Sequence, residues 1–282
     1  MRLYSIMVYL FLYVPIGIII LFSFNSGRHA SDFQGLSIKW YGKALSNPFV
    51  LEALTTSLII AFSAALLSCI MGTTAALALQ RMKGPAKILF DGLIYISIMI
   101  PGIVIGIATL IALISVFDVL NPILASLWPD GIKPPRLSLG YVSVIAAHTL
   151  FTMSLVILLV RARIEGMDRS LIEASQDLYA TPGRTFRLIT LPQIFPAILA
   201  GFLLSFTFSF DDFIISFFVA GPNTTLPIYV FSSIRRGITP EVNAIGTMVL
   251  GVSLILLIAV QLLLRSRNSK KSSTTGSNPS EG

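Results

Sequence analysis

Apolar residues fall in six long runs separated by short polar stretches, at residues 6–24, 53–79, 88–117, 139–160, 195–219 and 242–264. Each approaches or exceeds the ~20 residues that a helix needs to cross a bilayer core. Backbone groups facing lipid must be satisfied within their own segment, so each run is predicted to be a helix. Charges inside the runs are confined to Asp91, Asp211 and Asp212. Pro101-Gly102 interrupts the third run and predicts a kink. Gly102 and Gly106 have the small-xxx-small spacing that lets helices approach closely. The first run follows Arg2, exceeds the apolar core of a cleaved leader and has no small-x-small site at residues 23–27. It is therefore expected to remain as a span.

Composition narrows the class. The 282-residue chain is 55% hydrophobic and only 12% charged, with a mean hydropathy of +0.85. A soluble domain carries about 25% charged residues. The net charge of +7 lies on residues flanking the spans, which points to a membrane surface and away from nucleic acid. Arg81, Lys83 and Lys87 crowd the short loop at 80–87, and Arg161, Arg163, Arg169, Arg184 and Arg187 fall in the segment 161–192. This bias places both termini in the cytoplasm. Residues 265–282, rich in Ser, Thr, Gly and Lys, are predicted to be a disordered cytoplasmic tail after a membrane domain at 1–264. The single cysteine, Cys69, excludes an internal disulfide.

The segment 161–192 is too long for a simple turn and reads as two short helices. The first, at about 163–178, places Ile164, Met167, Leu171, Ala174 and Leu178 at helical spacing. The second opens with Thr181 as a hydroxyl N-cap and Pro182 at the first helical position, and ends near Leu191, before Pro192. Glu173-Ala174-Ser175, followed by Ile189-Thr190-Leu191-Pro192, resembles the signature of binding-protein-dependent ABC importer permeases. That pattern is Glu-Ala-Ala, three residues, Gly, nine residues, Ile, one residue, Leu-Pro. Ser175 replaces its second Ala and Tyr179 its Gly. A tyrosine at positive φ costs on the order of 1 kcal/mol, so a different turn is expected at Tyr179.

The resemblance implies an all-α integral membrane fold of the ABC type I importer permease kind, with six transmembrane helices and a cytoplasmic coupling-helix loop. It also implies that Glu173, Ala174, Ser175, Tyr179, Pro182, Ile189, Leu191 and Pro192 dock this loop onto a separate ATPase. The chain has no G-x-x-x-x-G-K-[ST] loop. It is expected to carry no cofactor and not to be an enzyme, with ATP and Mg held on the partner.

Asp211-Asp212 is the strongest candidate for substrate. A mid-bilayer aspartate costs ~2.5–3.5 kcal/mol on insertion scales, and such residues usually face a bundle interior or a water-filled path. As one helix, the run places Ser205, Ser209, Asp212 and Ser216 on a single polar stripe. Asp211 points elsewhere, nearer Thr207. Asp212 is then the expected pathway residue, and Phe208 and Phe213 offer aromatic faces to an ammonium group. His148 is expected to be a packed, hydrogen-bonded histidine, and His29 lies in an outside loop. The segment 32–48 is read as interfacial or short helical, with Trp40 and Tyr41 at the water–lipid boundary.

Ser209-Phe210-Asp211-Asp212, Phe218-Val219-Ala220-Gly221-Pro222, Leu226-Pro227, Ile238-Thr239-Pro240-Glu241-Val242-Asn243-Ala244, Phe24-Asn25-Ser26 and Trp40-Tyr41 are together similar to spermidine/putrescine permeases. This resemblance implies half of a heterodimeric inner-membrane path for polyamines. The implied partners are a similar but non-identical permease, two ATPase subunits and an extracytoplasmic binding protein. The alternatives are an ABC permease for another small solute, or a stand-alone channel or secondary transporter.

Overall fold

The computed structural model describes residues 2–28, 32–129, 131–168, 170–237 and 239–255. The predicted tail, the end of the sixth run, Arg169, Ile238 and His29 lie outside the described residues. In chain order the helices are α1 Arg2–Ser23, α2 Lys39–Ser46, α3 Pro48–Arg81, α4 Pro85–Met99, α5 Gly102–Leu127 and α6 Tyr141–Glu165. They continue with α7 Ser170–Asp177, α8 Pro182–Thr185, α9 Leu191–Asp211, α10 Ile214–Val219 and α11 Leu226–Arg236, and then α12 Pro240–Ile255. Among the described residues, an isolated antiparallel bridge between Asn25 and Leu36 accompanies the helices. Five helices are long and apolar enough to cross a bilayer: Leu3–Ser23, Pro48–Arg81, Gly102–Leu127, Tyr141–Glu165 and Pro182–Asp211; Pro240–Ile255 is a shorter apolar helix.

The third run is two helices and not one kinked helix. Ile100 is extended (φ −66, ψ 132) and so is Pro101 (φ −56, ψ 136). Proline pushes the residue before it out of the helical region, so α4 stops at Met99 and α5 starts afresh.

Two compact units divide the chain: Met1–Pro48 with Val230–Gly282, and Phe49–Tyr229. In the first, Asn25 organises the segment after α1. Its Oδ1 accepts the Gly27 and Gln34 N–H groups at 3.0 Å each, and its carbonyl accepts the Trp40 indole N–H at 2.7 Å. Trp40 is therefore buried, its one polar atom satisfied by a protein acceptor, in the short helix α2 that falls within the segment 32–48. At the start of α12, Glu241 meets Lys43 at 3.3 Å and Asn47 at 2.9 Å.

In the second unit α6 packs along α9, α4 packs on α6, and α10 packs on α5 and α6. Small residues are buried along α3: Ala53, Ser57, Ala61, Ala64, Ala65, Ser68 and Ala76. Val156 of α6 is wedged between two glycines. A Cβ on Gly72 would lie 2.8 Å from the Val156 Cβ, and one on Gly201 would lie 3.3 Å from its Cγ2. Of the predicted glycine pair, only Gly106 packs: an added Cβ would lie 2.8 Å from the Phe218 ring, while Gly102 has nothing within 4 Å. One apolar core, around Val156, Val160 and Ile194, fills the loop end of this unit. A second, around Ile60, Val144, Ile215 and Val219, fills the other end. Asp91 is not isolated, since its carboxylate accepts from the Arg161 guanidinium.

Candidate functional site

The loop helices differ in extent from those expected. α6 carries on through Arg161 and Arg163 and ends at Gly166. α7 begins only at Ser170, whose N–H donates to Asp168 Oδ1 at 2.9 Å. Hydrogen bonds from the Ser170 hydroxyl and N–H hold the Asp168 carboxyl below the usual carboxylate range. The predicted single helix at 163–178 is thus two pieces, since Gly166 and the Asp168 cap favour a stop and a restart.

Tyr179 has φ +57 and is the one non-glycine residue at positive φ among those described. The expected change of turn does not occur. The Ala180 N–H donates to the Ser175 carbonyl at 3.0 Å, and the Tyr179 N–H to the Gln176 carbonyl at 2.8 Å. This is the paired bonding of a Schellman cap, which requires a left-handed residue at the Tyr179 position. The ring is 96% exposed and meets no obstruction, so only the backbone cost opposes the turn. Ser175, the other departure, adds a tie. Its buried Oγ lies 2.9 Å from Thr185 Oγ1 and donates to the Ile172 carbonyl at 2.8 Å. An alanine there makes no such link between α7 and α8.

Thr181 opens α8 through its backbone, and its hydroxyl makes no cap bond. The carbonyl accepts from the Arg184 and Thr185 N–H groups at 2.9 and 3.0 Å. The second loop helix does not stop before Pro192. A widened π-helical turn at Phe186–Thr190 carries α8 into α9, giving one 30-residue helix, Pro182–Asp211. Pro192 lacks an N–H and would crowd the carbonyl four residues back, and the wider turn relieves that crowding. At ~1.5 Å per residue this rod is about 45 Å long. Arg163 Nε donates to the Gln193 carbonyl at 2.9 Å, tying the end of α6 to the base of the rod.

Glu173, Ala174, Pro182 and Pro192 are exposed, while Ile189 and Leu191 are half-buried. Leu191 packs on the core around Ile194. Leu178, Tyr179 and Leu188 are exposed apolar side chains at the tip. Behind the tip lies a cleft of about 870 Å³ whose lining includes Arg81, Lys87, Glu165, Glu173 and Gln176.

At the far end of the rod the polar stripe is interrupted. α9 ends at Asp211, Asp212 is extended (φ −70, ψ 119), and α10 begins at Ile214. Ser205 and Ser209 face inward from α9 and Ser216 from α10, all buried. Asp212 does not continue their row along one helix. Its Oδ2 accepts the Ser216 N–H at 2.9 Å and lies 3.2 Å from His148 Nε2. His148 is 2% exposed. Its Nδ1 lies 2.7 Å from Ser209 Oγ, and its Nε2 lies 3.1 Å from Ser216 Oγ. A carboxylate only accepts hydrogen bonds, so Nε2 bears the proton facing Asp212, and in the neutral ring Nδ1 accepts from Ser209. In its extended conformation Asp212 thus meets both His148 and the first turn of α10. Asp211, the last residue of α9, is exposed, as are Thr207 and Phe208 on the preceding turn. Sequence spacing left His148 out of this group, because nothing in one dimension places the fourth span against the fifth.

A model of binding-protein-dependent transport system inner membrane components matches residues 64–270. The putrescine transport system permease protein PotI of Escherichia coli K12 is 36% identical over 265 residues, covering 92% of this chain and 89% of that protein. The spermidine/putrescine transport system permease protein PotC of Haemophilus influenzae is 36% identical over 266 residues, covering 94% and 96%. Among solved structures, a chain of a bacterial ABC transporter that imports the polysaccharide alginate superposes with a TM-score of 0.73 at 17% identity, covering 94% of each chain. A chain of the MetNI methionine ABC transporter superposes with a TM-score of 0.59 at 17% identity, covering 77% of this chain and 94% of that one. These likenesses show the fold to be that of ABC importer permeases. Together with the matched residues they place the protein in the family of binding-protein-dependent transport system inner membrane components, membrane permease subunits that are not themselves enzymes.

Proposed function

We propose that this chain is one half of an ATP-driven import path for polyamines. The observation that carries the reading is 36% identity, over nearly the whole chain, to permeases named for putrescine and spermidine transport. The partners are a second, similar permease, two ATP-hydrolysing subunits holding ATP and Mg, and an extracytoplasmic binding protein. An alginate transporter of the same fold is described in complex with its periplasmic protein, which supports the last of these. Both termini are cytoplasmic and the loop 161–192 faces the motor, as the Lys and Arg bias favours.

The exposed tip of Leu178, Tyr179 and Leu188, with Glu173 beside it, docks on the ATPase. Motion there passes along the rod to the acidic pair. Asp211, with Phe208 on the preceding turn, meets the cationic solute. Asp212 and Ser209, linked through His148, form its inner support, with Ser205 one turn back on the same buried face; this reverses the roles expected from a continuous stripe. A polyamine loses hydration in a low-dielectric path, and fixed carboxylates offset that loss. Contacts spread along the path keep release possible.

Reconstitution of the chain with an ATPase, a second permease and a binding protein in liposomes tests this reading. ATP-dependent uptake of labelled putrescine or spermidine is expected. Full-rate uptake by the chain alone would favour a stand-alone channel or secondary transporter. ATP-dependent uptake of a different solute would leave the importer and discard the polyamine.

A further inference from the structure

The bonds around His148 join three elements at one point. Ser209 lies in the last turn of α9, Asp212 occupies the break, and Ser216 lies in the first turn of α10; each has a polar atom within 3.2 Å of an imidazole nitrogen. Among the described residues, the His148 ring reaches all three, and it does so from α6. The His148 carbonyl accepts from Thr152 Oγ1 at 2.8 Å, and Thr152 Oγ1 lies 2.6 Å from Ser68 Oγ of α3. The far end of α10 is fixed separately, where Ser143 Oγ donates to the Val219 carbonyl at 2.7 Å.

The sequence around the break favours an unbroken helix. Apart from Asp211 and Asp212, residues 195–219 are apolar with serines at helical spacing, and extending an existing helix is easier than starting a new one. An unbroken helix would consume the last carbonyls of α9 in bonds to the next turn. A break leaves those carbonyls without helical partners. Such carbonyl ends carry partial negative charge and suit cations, and Asp211 is the residue at which α9 stops.

We propose that His148 is a positioning residue for transport: by holding Ser209, Asp212 and Ser216 it keeps α9 ended at Asp211, so that the Asp211 carboxylate stays at the carbonyl end of that helix. His148 acts through the break and does not touch the solute. Its role in transport rests on the polyamine reading above, whereas its role in holding the break does not.

The test uses the assembled complex in a Cys69→Ser background, which removes the single cysteine. Ile214→Cys, at the exposed first residue of α10, reports on the break through its rate of reaction with a cationic methanethiosulfonate. His148→Ala is expected to change that rate by roughly fivefold or more, the scale of losing buried hydrogen bonds. His148→Gln keeps a donor and an acceptor and is expected to stay within about twofold. Without the reporter, His148→Ala lowers the maximal uptake rate about tenfold with KM for the loaded binding protein unchanged, and His148→Gln restores it. Should His148→Ala not assemble, Ser209→Ala, which removes only the Nδ1 partner, is expected to shift labelling about two- to threefold in the same direction. Equal labelling in the histidine and alanine forms, or a glutamine form that behaves like alanine, overturns the proposal. Labelling that shifts as expected in a complex that moves no polyamine would sink the polyamine reading alone.

Discussion

The turn at Tyr179 and the break at Asp212 flank one helical rod, and they show opposite relations between residue type and geometry. At Tyr179 the residue is wrong for the conformation, yet the conformation persists. The left-handed turn is held by two Schellman bonds and by the tie between Ser175 and Thr185. At Asp212 the residue pattern suits a continuing helix, yet the helix stops. His148 and Ser216 meet the carboxylate, with Ser209 on the other nitrogen of the imidazole, and Gly106 lets Phe218 of the following helix pack closely on α5. In both places a local preference of about 1 kcal/mol gives way to several converging bonds. The rod between them then joins an apolar tip to an acidic break.

The largest effect is expected at the tip. Glu173 is exposed beside the apolar residues proposed to dock. Reversing its charge with Glu173→Arg places like charges against whatever basic groups it meets, which costs several kcal/mol at an interface. Stimulation of ATP hydrolysis by the loaded binding protein should fall about a hundredfold or more, while the isolated ATPase keeps its basal rate. Normal stimulation would remove the tip from the coupling path.

Asp211→Asn comes next and addresses the other end of the rod. It keeps the size and one acceptor oxygen, puts an amide NH2 in place of the other, and removes the charge. Uptake of a polyamine should fall about tenfold with assembly intact, because Asp211 makes none of the bonds that hold the break. If uptake stays normal while Asp212→Asn abolishes it, the roles of the two carboxylates return to those expected of a continuous stripe.

Six apolar runs were enough to read the membrane class and the helical fold, because the demand on lipid-facing backbone leaves one solution. The family signature was legible because Glu173, Ile189 and Pro192 keep their spacing. What spacing did not reveal was where helices end. The stop after Met99 is signalled by Pro101, but whether a proline kinks a helix or divides it depends on what the flanking residues pack against. The break at Asp212 has no local signal, since its partner there, His148, lies 64 positions earlier (148 against 212). Continuity of the rod past Pro192 was hidden as well, because a π-helical turn leaves no mark in residue type.

Asp212→Ala probes the break through stability. It strips the Ser216 N–H of its acceptor and leaves the His148 Nε2–H with only a serine hydroxyl. A cost of about 1–3 kcal/mol is expected, seen as a lower midpoint in thermal unfolding of the detergent-solubilised complex. A loss below about 0.5 kcal/mol would mean that packing of α10, through Gly106 and the Ser143 bond, is sufficient to hold the break.

Tyr179→Gly is expected to have the smallest effect, and its sign is opposite. Glycine adopts positive φ freely, so the backbone cost of about 1–2 kcal/mol for an L-residue disappears. Part of that gain is offset because glycine loses more conformational freedom on folding, about 0.5–1 kcal/mol. The net stabilisation is then about 0.5–1 kcal/mol, visible as a slightly higher unfolding midpoint. The exposed ring contributes nothing to the fold in the isolated chain, so any loss on substitution has to come from docking. A glycine variant that is more stable but less well stimulated by the loaded binding protein would show that the tyrosine is kept for its contact with the motor despite the strained turn. A variant that is less stable would mean that Tyr179 is not held against its own preference, and the contrast between the two ends of the rod would fail.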